Sequence, residues 1–344
     1  MPVARMKTEL RYMPQNSPAI GVDSLLDEAW RLGPFAPPFA FSAFFSPEDT
    51  LLCACAADAA RSVGGTTAAA RAPFRIAELT SGSGLVGLYL LGRDCNATLL
   101  GLDIDGEAKR VAEQNAVRLG LANRTRFAQS DLWSSSTLQI LQSEKPQMII
   151  CNPPYIPEPP GTRLEMEAGA GPHGTAHLLR ALELTSLVQP DTFALSWCSL
   201  SDPAGIVAAA EASGYELHTL FVTAIADGEY SGSVHPYLRG LSDCFINEQQ
   251  ETLDIIAPDP SARFAYLLFA GAFRRGAGER ESGEAGKRES GRREAAEAVR
   301  RLCLNFARDG IRSLATANAP FSLRCSVLNR WDELKLRVML HGAS

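Results

Sequence analysis

A strand that stops at a glycine turn and resumes as a helix constrains this chain more than anything else in it. Phe74-Arg75-Ile76-Ala77-Glu78-Leu79 reads as the strand and Thr80-Ser81-Gly82-Ser83-Gly84-Leu85-Val86-Gly87 as the turn, with an apolar helical stretch behind it. Glycine is needed where backbone bends tightly and lets a ligand come close. A glycine loop alone marks many ordinary turns. Between strand and helix it sits in the context that a binding loop requires.

Three more strands repeat the arrangement. Ala97 to Leu102 ends in Asp103-Ile104-Asp105, and a charged amphipathic helix from Glu107 to Leu119 is stopped by Gly120. An acid closing a second strand can take both hydroxyls of an adenosine ribose; the competing role is a helix N-cap, for which Asp105 is better placed. Arg124 to Gln129 is a third strand, ending in Ser130-Asp131-Leu132. The Asp131 carboxylate can accept an adenine amine or cap a helix. The fourth strand, Gln147-Met148-Ile149-Ile150-Cys151, runs into Asn152-Pro153-Pro154-Tyr155.

By itself this tetrapeptide is more often a turn. At the carboxyl edge of a sheet each residue also has chemistry to offer. The Asn152 carboxamide oxygen can accept a hydrogen bond from a planar N–H₂ group. Pro153 and Pro154 stiffen the backbone, leaving the Pro153 carbonyl to accept the second N–H, and the Tyr155 ring can stack on a flat acceptor or face a cation. Such a set suits methylation of an amide or amine nitrogen.

With these motifs in order, residues from about Phe45 to Ser213 resemble the HemK-type class I S-adenosylmethionine (SAM) methyltransferases, known for methylating the glutamine of peptide-chain release factors. The matching segments are Phe45-Ser46-Pro47-Glu48-Asp49-Thr50-Leu51-Leu52, Glu78 to Gly84, Gly101 to Asp105, Ser130-Asp131 and Asn152 to Pro157, with a looser match from Ala168 to Gly174. The resemblance implies that Thr80, Ser81, Gly82, Ser83 and Gly84, with Glu78 before them, wrap the methionine part of SAM. It implies too that Asp103 and Ile104 hold the ribose, that Asp131 and Leu132 border the adenine, and that Asn152 to Tyr155 grip the acceptor, with Asn152 also touching the donor. The implied acceptor is a protein glutamine or a small molecule. Thr80 departs from the family, whose loop begins with glycine, which leaves the loop stiffer or differently laid. The family's helical amino-terminal domain is expected to be shortened or missing, and no counterpart is expected for the long carboxyl-terminal extension.

Length and composition fit one full catalytic domain with smaller attachments. The chain has 344 residues, 46% of them hydrophobic, enough for a large core. A net charge of −6 argues against a protein that tracks nucleic-acid phosphates. The eight cysteines form no Cys-x-x-Cys pair, which points to reduced, buried thiols and a cytoplasmic setting. No signal peptide and no membrane-spanning run is expected, and His173 and His177 are too few for a metal site.

The sheet, helices and short loops predict a Rossmann-like, doubly wound, mostly parallel α/β sheet of seven strands. Residues 1–45 read as an irregular arm with a helical candidate at Ser24 to Leu32, and 46–273 as the methyltransferase domain. Further strands fall near Thr192 to Cys198, Glu216 to Thr223 and Arg263 to Phe269. The stretch 224–260 interrupts the last two, as an insertion that either shapes the acceptor pocket or serves as a surface or homodimer contact. Residues 274–294 read as a flexible linker. Residues 295–344 read as a small α/β tail, with a helix at Ala295 to Arg308 and strands at Phe321 to Leu328 and Leu334 to Leu340, docked on the catalytic domain or a second subunit.

Other functions stay open. A small-molecule N- or S-methyltransferase fits the insertion and tail. A nucleic-acid adenine N6-methyltransferase uses the same tetrapeptide. Gly82-x-Gly84-x-x-Gly87 with Asp103 also matches a nicotinamide dehydrogenase, where Asn-Pro-Pro-Tyr has no role, and Thr80 admits a non-catalytic SAM-binding relic.

Overall fold

A computed structural model describes residues 47–64, 73–164, 166, 168–226, 229–241, 257–258, 264–276, 285–309, 313–314 and 317–325. The expected amino-terminal arm, the Ser24 to Leu32 helix and the Leu334 to Leu340 strand lie outside them.

The chain begins with α1 (Pro47–Val63), then alternates β1 (Phe74–Leu79), α2 (Leu85–Arg93), β2 (Ala97–Asp103), α3 (Gly106–Arg118), β3 (Thr125–Gln129), α4 (Ser135–Glu144), β4 (Met148–Cys151), α5 (Ala176–Val188), β5 (Thr192–Cys198), α6 (Pro203–Ala212) and β6 (Tyr215–Ala226). The short α7 (Glu229–Ser233), α8 (His235–Leu241) and β7 (Ala257–Pro258) follow. The chain continues with β8 (Phe264–Arg275), α9 (Ala285–Asp309) and β9 (Ser322–Cys325).

Strand order along the sheet is β3-β2-β1-β4-β5-β8-β6-β9, and β7 pairs with β8. β1 to β5 are parallel, while β8 runs antiparallel between β5 and β6. This is the doubly wound α/β sheet the sequence pattern calls for. The central strands are buried on both faces, so they read as unbroken apolar runs, as parallel strands under two helical layers do; every residue of β4 and β5 is buried. The helices pack in two rows, α1–α2–α3 and α4–α5–α6–α9.

The strand count corrects the expected seven: among the described residues eight lie along the sheet, and β7 is a further short pairing. The eighth comes from the tail, because β9 joins the border strand β6 in parallel, Thr219 to Val222 against Ser322 to Cys325, while α9 packs on α6. Both ends of the expected 274–294 linker are regular instead: β8 carries on to Arg275 and α9 begins at Ala285, in a stretch where the strong helix formers Ala, Glu, Lys and Arg outnumber Gly and Ser.

Behind the antiparallel strands the core is aromatic. Phe193 stacks on Phe273 at 4.4 Å between ring centres and meets Tyr215 edge-on at 4.9 Å, while Trp197 stacks on Phe269 at 5.5 Å. These contacts join β5, β6 and β8 into a rigid block beside the four strands that carry the motifs.

Chain direction in the strand order reverses between β1 and β4. From β1 the chain winds outward through β2 and β3, then returns to β4 and winds the other way. A crevice opens at such a switch point, outside the carboxyl ends of the strands. Register sets what meets there. Leu79 pairs with Leu102 and with Cys151, and Asp103 pairs with Gln129. Thr80, Asp103, Ser130 and Asn152 therefore leave the sheet at one edge, within a residue of the same level.

Candidate functional site

The turn after β1 is built from alternating left-handed residues: Thr80, Gly82 and Gly84 have φ of 51°, 51° and 72°. Its fixed points are backbone hydrogen bonds. Ser81 N–H donates to the Leu102 carbonyl at 3.0 Å, and Gly84 N–H to the Ser81 carbonyl at 2.7 Å. From the neighbouring strand Asp103 holds the turn directly, one carboxylate oxygen accepting the Gly82 N–H at 2.7 Å and the other the Asp105 N–H at 2.9 Å. Asn115 on α3 donates to the Ser83 carbonyl at 2.9 Å. Asp105 caps α3 through the Glu107 N–H at 2.8 Å, so capping falls to it and leaves Asp103 at the crevice.

Thr80 is the strained member. A β-branched residue in the left-handed region costs about 1–2 kcal/mol, offset in part by its hydroxyl, which donates to the Leu79 carbonyl at 2.6 Å. Glycine would relieve the strain, lose that bond and gain unfolded-state entropy. With the strain the largest of these, Thr80→Gly is expected to raise unfolding stability by roughly 0.5–1 kcal/mol. Urea denaturation measures it; a loss of more than about 1 kcal/mol would show the hydroxyl outweighs the strain.

Below the turn, Glu78 is 4% exposed and accepts the Gly87 N–H at 3.1 Å. Gly87 has to be glycine here: a Cβ would stand 2.6 Å from the Glu78 carboxylate and from Leu99. Burial pushes the Glu78 carboxyl up to about 8, against the pull of the Gly87 bond and with a further push from Asp103. Burial raises Asp103 as well, its backbone N–H bonds opposing.

One cavity gathers these groups. Its walls include Glu78, Thr80, Ser81, Gly82 and Ser83 from β1 and the turn after it, and Asp103 and Ile104 from the end of β2. Asp131 and Leu132, after β3, and Asn152 and Pro154, after β4, line it as well. Gly84 caps α2 behind this surface. The Asp131 carboxylate accepts the Trp133 N–H at 2.9 Å, and the loop is pinned where Thr137 donates to the Asp131 carbonyl at 2.5 Å. The Asn152 Oδ1 is buried and has no hydrogen-bond partner among the described residues.

Pro153 and Tyr155 are placed elsewhere. Both are buried and neither lines the cavity. The Tyr155 hydroxyl donates to the carboxylate of Asp49, in the first turn of α1. The expectation that its ring faces an acceptor is therefore corrected. Tyr155 anchors the back of the tetrapeptide to α1, because a buried phenol needs a partner.

The loosely matching segment lies against the tetrapeptide's exit. Ile156 exchanges backbone bonds with Ala168 and Ala170 at 2.9 and 3.0 Å. Gly174, at φ 66°, passes so close to the Tyr155 carbonyl that a Cβ would stand 2.3 Å from it. α8 of the insertion reaches this loop, Tyr237 donating to the Pro172 carbonyl at 2.8 Å.

Sequence reasoning missed several lining residues, among them Thr50, Trp133, Met166 and His177. Trp133 directly follows Asp131-Leu132 and could have been read from that adjacency. The others arrive through the packing of α1, the 156–174 loop and α5, which leaves no local signal. Among the described residues no helix is long and apolar enough to cross a membrane.

No family model matches the chain. Over 93 residues it is 41% identical to the release factor glutamine methyltransferase of Rhodospirillum rubrum, a match covering 27% of each protein. Over 92 residues it is 30% identical to the tRNA1(Val) (adenine(37)-N6)-methyltransferase of Porphyromonas gingivalis, covering 27% of this chain and 36% of that one. The match therefore spans well under half the length of these curated relatives. Among solved structures, the E. cuniculi Mtq2–Trm112 complex, described as methylating the translation termination factor eRF1, is similar with a TM-score of 0.37 and 15% identity, over 68% of this chain and 99% of that one. The strand order, rather than that likeness, assigns the fold. Over a quarter of its length the chain is similar in sequence to release factor glutamine methyltransferases, the group its motifs resemble.

Proposed function

We propose that the protein is a SAM-dependent methyltransferase acting on an amide or amine nitrogen, with the side-chain amide of a protein glutamine as the favoured acceptor. The observation that carries this is the buried Asn152 Oδ1, without a hydrogen-bond partner among the described residues, in the wall of a cavity lined by the glycine turn, Asp103 and Asp131. A buried oxygen left unsatisfied calls for a partner, and at a cavity wall a bound ligand can supply one. The partial sequence likeness to release factor glutamine methyltransferases supports the same acceptor.

The residues fit SAM. The first turn of α2 carries no acid, so its amino terminus and Ser83 suit the donor's carboxylate. Asp103 suits the ribose hydroxyls and Asp131 the adenine amine. When bound, SAM supplies a methyl group on a positively charged sulfur. An amide nitrogen is a poor nucleophile because its lone pair is spread into the carbonyl. Asn152 Oδ1, by accepting one of its hydrogens, favours the developing tetrahedral nitrogen over the flat ground state. Once methylated, that nitrogen carries a positive charge and releases a proton to solvent water; alignment does most of the work. The Tyr155–Asp49 bond and the 156–174 loop, with Tyr237 of the insertion behind it, keep the acceptor end in place.

Calorimetry with SAM and S-adenosylhomocysteine should show uptake of both. Incubation of protein and labelled SAM with cell extract should then place label in protein. Absence of uptake would remove the donor assignment. Label in nucleic acid would favour the second reading, an adenine N6-methyltransferase, which the Porphyromonas gingivalis likeness supports and the acidic charge opposes. Label in small metabolites would move the acceptor there.

A further inference from the structure

His177 presents, after Asn152, a second buried polar atom at the cavity. It sits in the first turn of α5, lines the cavity, and its buried Nδ1 has no hydrogen-bond partner among the described residues. Two contacts fix that turn of α5 against the loop after β3. Arg180 Nε donates to the Leu132 carbonyl at 3.0 Å, and the His177 ring meets Trp133 edge-on, 4.6 Å between centres and 78° between planes. One helical turn thus holds the histidine beside Asp131 and Leu132.

We propose that His177 reads the base of the methyl donor, its Nδ1 hydrogen-bonding the ring edge of the adenine whose amine Asp131 accepts. This rests on the SAM reading given above and deepens it by naming a specificity residue. The chemistry of the pair is complementary to one kind of base edge. A carboxylate only accepts, so Asp131 needs an N–H, which an amino group supplies. Next to that amine, adenine presents a ring nitrogen with a lone pair, which needs a donor. A neutral imidazole carrying its hydrogen on Nδ1 is such a donor. Burial keeps this imidazole in the neutral range, against the opposite pull of Glu158 and Asp131. A base with a carbonyl and a ring N–H at those two places would face two clashes, acceptor on acceptor and donor on donor.

The test uses the full chain and calorimetric binding rather than turnover. The probes are S-adenosylhomocysteine and S-inosylhomocysteine, which carries that carbonyl and ring N–H. Wild type should prefer the adenine compound strongly. His177→Phe, which keeps a ring on Trp133 and removes Nδ1, should weaken adenosyl binding about tenfold and shrink the preference by a similar factor. His177→Asn, whose amide can place a nitrogen near the Nδ1 position, should stay within about threefold of wild type. Thermal melts of both variants separate lost binding from lost folding. Unchanged adenosyl affinity in a folded His177→Phe protein would overturn the proposal, and so would an undiminished preference. If wild type takes up neither compound while remaining folded, the donor reading itself falls and takes this inference with it.

Discussion

Asn152→Ala is expected to lower methyl transfer about 10²–10³-fold, the size of effect seen when one preorganised polar contact to a transition state is removed. SAM affinity should change only a few-fold, because the turn after β1, Asp103 and Asp131 remain. The split follows from where Oδ1 sits. It is buried and has no hydrogen-bond partner among the described residues, so under the proposed reading its worth is realised only with a reacting nitrogen present. Single-turnover rates with the acceptor, set beside calorimetric SAM affinity, measure the two separately. Equal losses in both would reassign Asn152 to donor binding alone.

Glu78→Gln is expected to flatten the fall of stability on the alkaline side of neutrality. Burial raises the folded-state carboxyl from 4.5 to about 8. Between those values the unfolded chain has released the proton that the folded protein keeps, so the native state binds more protons and unfolding becomes easier as pH rises. The effect is absent below the lower value and complete above the upper. From pH 6 to pH 9 the wild-type protein should lose roughly 3 kcal/mol through this one group. The glutamine variant keeps an acceptor for the Gly87 N–H and should lose none of that share. Urea unfolding at several pH values gives both curves; parallel curves would place the Glu78 proton outside the folding equilibrium. A neutral Glu78 is also what its neighbourhood favours, because Asp103 stands close enough to make a second negative charge costly.

The two experiments draw on parts of the molecule that differed in how far sequence revealed them. β1 and β5 fall at the predicted residues, and β2, β3 and β4 within one. Each is a short buried run ended by its own loop chemistry, so the information is local. The doubly wound, mostly parallel sheet followed from the same regularity, with Thr80, Asp103 and Asn152 each at the end of its strand. What depended on distant packing was not legible. Tyr155 turns to Asp49, 106 residues away in sequence, and nothing near either residue announces the pair. His177 and Met166 reach the cavity only because α5 and the 156–174 loop fold over it. The tail strand was visible as a strand, yet its place on β6 was not, because four residues of alternating pattern do not say which border they will join.

The bonds made by Asp103 alter what a substitution there would mean. Each of its carboxylate oxygens already holds a backbone N–H, one from the turn after β1 and one from the start of α3. The crevice is therefore shaped before any nucleoside arrives, and little chain entropy is spent when one does. An alanine at this position would release two adjacent segments at once, and a drop in affinity would sum slackened architecture with loss of the ribose contacts proposed for Asp103. Only an asparagine, which keeps one oxygen for Gly82 or Asp105, comes near to isolating the sugar's share.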